Sequence, residues 1–389
     1  MAHHPGYYLE SACDLEDFKA LISQSLDPTS LRFAAKVEKN VPIYDCAALR
    51  PLLIDPDRRR DVMAEWAGVL LTGSGALALA GAYADTGVID EATALYNHII
   101  ADEKASKGAA EDHFAKAGAN DRIWNSLQKL CEASPDVFAR YFANEPIAAV
   151  CEAWLGPNYQ MTAQVNQVRP GGAAQQAHRD YHLGFQTAEV SGTYPRHVHD
   201  LSPLMTLQGA VAHSDMPIDS GPTKLLPFSQ AYKPGYAAWR RDDFRACFED
   251  NYIQLPLAKG DALFFNPALF HAAGANVTRD HDRMANLIQV SSAFGIAMET
   301  IDRQKMSSLL YPALQARLAD GSLTRAEVQA AIAACAFGYS FPTNLDSDPP
   351  RGGLAPETQA ALFLRALDSG WSPQHFDTEL QALATRQRA

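Results

Sequence analysis

Apolar residues along the chain change their spacing twice. From residue 14 to about 160 they recur at helical intervals. Leu15, Phe18, Leu21 and Ile22 form one stripe behind an acidic N-cap, Asp14, three to four residues apart as one face of a helix requires. Residues 88–107 and 123–155 carry similar spacing, with a further helix beginning at Asp136. One stretch departs: 66–72, Trp-Ala-Gly-Val-Leu-Leu-Thr, reads as a buried strand. From about Tyr159 to Phe294 helical spacing gives way to short β-rich runs broken by Gly, Pro, Asn and Asp. The predicted strands are 160–169, 177–182, 203–214, 223–227, 252–257, 262–266, 271–276 and 283–291, with a tight turn at Lys259-Gly260-Asp261. Short strands at this spacing predict an antiparallel sandwich or jelly roll. After Ile301 the helical period returns over 306–318, 324–336 and 356–369, interrupted by a polar, Pro/Gly-rich loop at 344–354. Three parts follow from this pattern: a helical N-terminal extension over 1–65, a mainly β core with supporting helices over 66–300, and a helical C-terminal extension over 301–389.

Composition narrows the functional classes. The chain has 389 residues, 47% hydrophobic and 20% charged, the profile of a soluble globular enzyme. Its formal net charge is -12, which opposes binding to nucleic-acid phosphates without a strong basic patch. Arg58-Arg59-Arg60 and Arg240-Arg241 are too short to supply one, so a small-molecule partner is expected and nucleic acid is not. None of the six cysteines forms a CxxC pair, which argues against a zinc ribbon or a thioredoxin-like site and for reduced thiols in the cytoplasm. The polar start MAHHPGYYLES has no apolar signal core, and no run of about 18 apolar residues exists to span a membrane. Oligomeric state is open.

Two motifs compete for the chemistry. Gly73-Ser-Gly75-Ala-Leu-Ala78 fits the G-x-G-x-x-A form of a dinucleotide-binding turn. The pattern alone is weak. No alternating strand–helix order follows it, and the plainer reading is a flexible turn from a strand into a helix. The second motif is His178-Arg179-Asp180-Tyr181-His182. In a strand, residues two apart share a face, so both imidazoles and the carboxylate crowd one side. Downstream, His271 sits inside the apolar run 264–275, where an unpartnered imidazole is costly to bury. Arg283 opens the apolar strand that follows and needs an anionic partner. Two histidines and one carboxylate on one face of a metal make the facial triad of non-haem iron(II) oxygenases. An arginine one strand further can take a carboxylate bidentately, in this chemistry that of 2-oxoglutarate.

With these residues in place, the sequence resembles the phytanoyl-CoA dioxygenase family of iron(II)/2-oxoglutarate oxygenases, over roughly 66–295. The resemblance rests on Gln167-Val-Arg-Pro170-Gly, on His178-Arg-Asp180-Tyr-His182, on Ser220-Gly221-Pro222-Thr223 through Pro227-Phe-Ser229-Gln, and on His271-Ala-Ala-Gly274-Ala-Asn276 followed by Arg283. It implies a double-stranded β-helix core, a cupin-like jelly roll flanked by helices. It further implies that His178, Asp180 and His271 ligate iron(II), that Arg283 pairs with the distal carboxylate of 2-oxoglutarate, and that O2 is the co-reactant. Gln208 and Gln167 fall where the family has co-substrate contacts. The proline turn lacks the family's glycine and histidine, and Ala273 stands where some members have a serine beside the co-substrate. His182 is expected to line the pocket without ligating. His197, His199 and His213 have no spacing that suggests a second metal. Arg196 and Lys224, with Arg240, Arg241 and Arg245, are candidates to meet an anionic substrate group. The expected reaction is hydroxylation of an unactivated C–H bond with release of succinate and CO2, and Asp180 argues against a halogenase. Two other readings are a cupin-like metal protein that binds a ligand without 2-oxoglutarate, and a non-catalytic binding member of the family.

Overall fold

Capped helices punctuate the chain. Asp14 accepts from the backbone of Glu16 and Asp17 and starts the helix Leu15–Ile22, and Thr324 with Glu327 closes a capping box on Arg325–Cys335, as orphan N–H groups at helix starts require. The computed structural model describes residues 6–107 and 120–388; the first five residues of the polar N-terminal stretch lie outside this range. Among the described residues the strands are β1 (Lys36–Glu38), β2 (Val41–Asp45), β3 (Ala76–Ala80), β4 (Asn120–Ile123), β5 (Gln160–Val168), β6 (Thr206–Ala212), β7 (Lys224–Leu226), β8 (Ala262–Phe265), β9 (Phe270–Ala272) and β10 (Arg283–Ser291). Eight make one large sheet, in the order β1-β2-β3-β8-β6-β10-β5-β4, and β7 pairs with β9 in a second. The expectation of a purely antiparallel arrangement is corrected: β2 and β3 run parallel, so the large sheet is mixed. Single bridges from His178 to His271 and from Leu225 to Ile253 widen the small sheet on both sides.

Side-chain alternation divides the large sheet into two faces. Leu77, Leu79, Val165, Leu207, Phe264, Ile288 and Val290 pack outward, in one core with the helices Pro56–Leu71, Pro135–Phe142, Glu145–Leu155, Arg303–Ala319 and Arg325–Cys335. Helices from before and after the sheet therefore share a core. The inner face carries Ala76, Ala78, Leu263, Phe265 and Ala285, packed with Leu225 and Leu269 of the second sheet's region. No helix among the described residues is long and apolar enough to cross a membrane. All six cysteines are buried free thiols.

Several expectations change here. The run 66–71 lies in the helix Pro56–Leu71, not in a strand. Asp55 caps that helix, Pro56 occupies its first turn, and Val62, Trp66, Val69 and Leu70 form its buried stripe, a helical period that the run read in isolation hides. The glycine turn at 73–75 consequently leads from a helix into β3, the reverse of a dinucleotide-binding turn. Gly75 has φ +80, and a Cβ there would lie 2.4 Å from the Gln230 side chain. The expected strand 177–182 is a single bridge at His178. The backbone turns left-handed at Tyr181 (φ 62) and His182 (φ 41) and enters a short 3-10 helix, His182–Phe185. Alternation therefore stops before His182. Residues 252–257 make only isolated bridges at Ile253 and Leu257.

Candidate metal centre

β9 and the bridge beside it bring the motif's two halves together. Asp180 Oδ1 lies 3.6 Å from His178 Nε2, and Asp180 Oδ2 lies 3.3 Å from His271 Nε2. One donor atom from each of the three residues falls within 4.8 Å of the others. The backbone sets the histidine tautomers. His178 Nδ1 is 2.8 Å from the Gln176 carbonyl and His271 Nδ1 is 2.8 Å from the Leu269 carbonyl. A carbonyl only accepts, so each Nδ1 carries the proton and each Nε2 turns a lone pair toward the Asp180 carboxylate. Two lone pairs and a carboxylate converging on one point suit a cation, and imidazoles fixed through their second nitrogen are how proteins orient metal ligands. The donor set therefore fits iron(II).

The charges of the site agree with this. Burial pushes the Asp180 carboxyl up, but His178 and His271 when protonated, with the Gln208 amide, outweigh it and hold the group below the usual carboxylate range. Burial pushes the His178 imidazole below its ordinary value, against the pull of Asp180. Asp180 is thus anionic and His178 is biased toward the neutral, ligating form. Gln208, on β6, donates through Nε2 to Asp180 Oδ2.

The three residues face a cavity of about 650 Å3 between the sheets. Arg283 lines it from the first position of β10. This guanidinium is 6% exposed. Its Nη1 donates to the carbonyls of Ser220 at 3.1 Å and Gly274 at 3.4 Å, and it makes no ion pair among the described residues. Burial lowers its pKa to about 10, which leaves it charged at neutral pH. Two other deeply buried arginines are likewise held by backbone carbonyls and make no ion pair among the described residues. Arg179 Nη2 is anchored on the carbonyls of Ser229 and Tyr232, and its guanidinium lies 5.1 Å from the ring centroids of both Tyr236 and Phe270. Arg303 is anchored on the carbonyls of Met161, Ala334 and Cys335.

A family model described as phytanoyl-CoA dioxygenase (PhyH) matches residues 72–285, more than half of the chain. The chain belongs to the phytanoyl-CoA dioxygenase family. With that membership and the His-Asp-His cluster, iron(II) and 2-oxoglutarate are its cofactor and co-substrate. The chain is similar to the dioxygenase andF of Emericella variicolor, 24% identical over 35% of this chain and 43% of that one. It is also similar to the dioxygenase aneA of Aspergillus aculeatus, 27% identical over 47% of this chain and 57% of that one. The matches thus span about half the length of these two relatives. Among solved structures, the epimerase SnoN in complex with Fe3+, alpha ketoglutarate and nogalamycin RO is 19% identical over 60% of this chain and 84% of that one, with a TM-score of 0.42.

Other expected positions in this family member are corrected by the side-chain geometry. Gln167 does not reach the cavity. β5 alternates, so Gln164 and Asn166 face inward while Gln167 lies on the opposite face and donates to Asp282 at 3.1 Å. His182 does not line the cavity; it is exposed, with Nδ1 3.0 Å from the Ser202 hydroxyl. Arg196 is outside it too, over the Tyr8 ring at 4.8 Å. Lys224 is paired with Glu249 at 2.7 Å and sits over Tyr252, in a separate depression. Of the later histidines, His213 is fixed between the hydroxyls of Thr93 and Tyr141 and His199 sits 3.0 Å from the Ser191 carbonyl. Sequence reasoning missed Arg122, Trp124, Gln164, Asn166, Trp239 and Gln289, all of which line the cavity. The signal for Gln164 and Asn166 was present: in β5, Thr162, Gln164 and Asn166 alternate with Met161, Ala163 and Val165. Arg122 stands on β4, in a region that reads as helical.

Proposed function

We propose that this chain hydroxylates an unactivated C–H bond of a small organic molecule, coupled to the conversion of 2-oxoglutarate to succinate and CO2. The observation that carries this reading is the convergence of three donor atoms within 4.8 Å on the wall of a cavity of about 650 Å3. His178, Asp180 and His271 would hold iron(II), leaving open coordination positions on the cavity side, as a facial triad does. When bound, the metal and its keto acid supply the oxidising chemistry: O2 is reduced, the keto acid loses CO2, and one oxygen atom goes to the substrate carbon. The protein's part is to place and to enclose. The Gln208 amide steadies one oxygen of Asp180, and the backbone carbonyls of Gln176 and Leu269 hold the two imidazoles. Arg283 receives the far carboxylate of 2-oxoglutarate. Its burial without an acidic partner favours this reading over a cupin-like protein, which has no use for a buried cation there. The surrounding two sheets are read as the double-stranded β-helix of the family.

Anaerobic titration tests this. Iron(II) with 2-oxoglutarate should give the weak visible charge-transfer band of a chelate at one equivalent. His271→Ala should lose stoichiometric iron while its far-ultraviolet circular dichroism stays that of the parent. A parent without the band, or a His271→Ala protein that retains iron, refutes the assignment.

A further inference from the structure

Five basic residues were candidates to meet an anionic group near the cavity, and their side chains separate them. Arg196 lies over Tyr8, Lys224 is paired with Glu249, and Arg241 is paired with Asp243 at 2.6 Å and donates to the Cys13 carbonyl at 2.7 Å. Arg245, on the helix Asp242–Asn251, lines the same cavity as His178, Asp180 and His271. Its one acidic neighbour among the described residues is Asp242, 3.8 Å away and fully exposed, beyond hydrogen-bond reach. Its Nε is buried without an acceptor. Arg240 lies 3.9 Å over the Trp239 ring, and Arg245 lies 5.8 Å from the same ring. Arg240 lies outside the cavity, in a separate depression with Glu10 and Asp242; it donates through Nη2 to the Gly184 carbonyl at 3.0 Å, and its Nη1 has no acceptor. Trp239 Nε1, in the cavity wall, has none either. The acids that act on Arg240, Glu10 and Glu189, do so at longer range; burial first, and then the charge of Arg245, lower its hold on its proton.

Three donors around one indole ring thus lack acceptors, and the one acid at ion-pair distance from the two guanidiniums is the fully exposed Asp242. Buried donors of this kind are rare in native structures unless something else satisfies them. Elsewhere the wall mixes apolar groups, among them Phe185, Met216, Leu257 and Met298, with the polar side chains of Arg122, Gln164, Asn166 and Gln289. We infer that the substrate bears an oxyanion, a carboxylate or a phosphate, received in the cavity by Arg245 with Trp239 beside it. This rests on reading the cavity as the substrate chamber. Guanidinium is the side chain best matched to such a group, since its planar fork meets two oxygens at once.

Two dyes with one carbon skeleton test the charge requirement. The protein, loaded with iron(II) and 2-oxoglutarate under nitrogen so that Arg283 is occupied, is dialysed to equilibrium against 1-anilinonaphthalene-8-sulfonate or against neutral N-phenyl-1-naphthylamine. The sulfonate should bind at least about tenfold more tightly. Arg245→Gln should remove that preference while leaving the neutral dye within about twofold, and Arg245→Lys should restore part of it. Arg240→Gln, outside the cavity, should weaken the sulfonate less than Arg245→Gln does, and Arg196→Gln should change nothing. Decanoate and decyl phosphate as competitors distinguish the head group: the one that displaces the sulfonate at lower concentration names it. Equal binding of both dyes, binding of neither, a preference that survives Arg245→Gln, or displacement by neither competitor overturns the inference. Loading is scored separately by the chelate band. A missing band with an intact dye preference defeats the metal reading alone, and a normal band without the preference defeats the anion site alone.

Discussion

At the scale of single residues, Arg283 carries the most weight, because a buried cation without a carboxylate is costly unless a ligand completes it. Losing one partner of a buried guanidinium–carboxylate pair costs about 3–5 kcal/mol, on the order of a hundredfold or more in affinity. Arg283→Ala should therefore bind iron(II) as the parent does but raise the 2-oxoglutarate dissociation constant on the order of a hundredfold, read from the chelate band under nitrogen. Arg279, eight residues after His271 and exposed, should tolerate alanine with only a few-fold change. Reversed behaviour would move the co-substrate site to Arg279, and indifference of both would favour the cupin-like reading. The residues legible in the sequence were those whose chemistry makes them expensive to bury: His178, Asp180, His271 and Arg283. Gln167 misled because one step of register moves a side chain to the other face of a strand. Lys224 and Arg196 misled for a different reason. Long cationic side chains take whichever acid or ring the fold brings near, here Glu249 and Tyr8, and no local pattern announces those partners.

At the scale of elements, Arg179, between His178 and Asp180, ties the metal-site segment to the small helix Gly235–Ala238. A Cβ at Gly235 would fall 2.0 Å from the Arg179 guanidinium carbon. Arg179 cannot easily withdraw, being bonded to two backbone carbonyls and flanked by two rings. Gly235→Ala should destabilise by about 1–3 kcal/mol as an overpacked site, and it should weaken iron binding, because Arg179 stands between His178 and Asp180. Gly68→Ala is the contrast: it lies in the helix Pro56–Leu71 with open space around it, and alanine there should stabilise by roughly 0.5–1 kcal/mol. Thermal unfolding and iron titration of both variants decide; a Gly235→Ala protein with the parent's melting point and iron content would count against the packing argument. Element legibility followed side-chain type. β10 spans the expected 283–291, a largely apolar and almost wholly buried run that opens on Arg283. β3 is Ala-Leu-Ala-Leu-Ala, a sequence with little strand preference of its own, and pairing with β2 and β8 makes it a strand. β1 and β4 are three and four residues long, too short to establish a period.

At the scale of the whole molecule, the family match ends at residue 285, yet the sheet's outer face does not end its packing there. The helices Arg303–Ala319, Arg325–Cys335, Gln359–Asp368 and Pro373–Gln387 contribute Leu310, Tyr311, Leu314, Val328, Ile332, Phe363, Phe376 and Leu380 to the core that also holds Val165, Phe138 and Ile147. Arg303 joins tail to sheet directly, donating at 2.7 Å to the Met161 carbonyl on β5. Each such apolar side chain contributes about 1.5–3 kcal/mol when fully buried, so losing even a few of them is large against the roughly 5–15 kcal/mol net stability of a typical domain. We expect the chain cut after residue 301 to lose cooperative folding rather than merely a regulatory appendage. Its near-ultraviolet circular dichroism should collapse and it should bind no stoichiometric iron, because β5, which carries Gln164 and Asn166 into the cavity, would have lost its outer support. Supplying residues 302–389 as a separate co-expressed chain should restore part of both signals. A truncated protein that melts cooperatively near the parent temperature and still holds one iron would show instead that the tail is an independent unit, and that the metal centre needs only the segment the family shares.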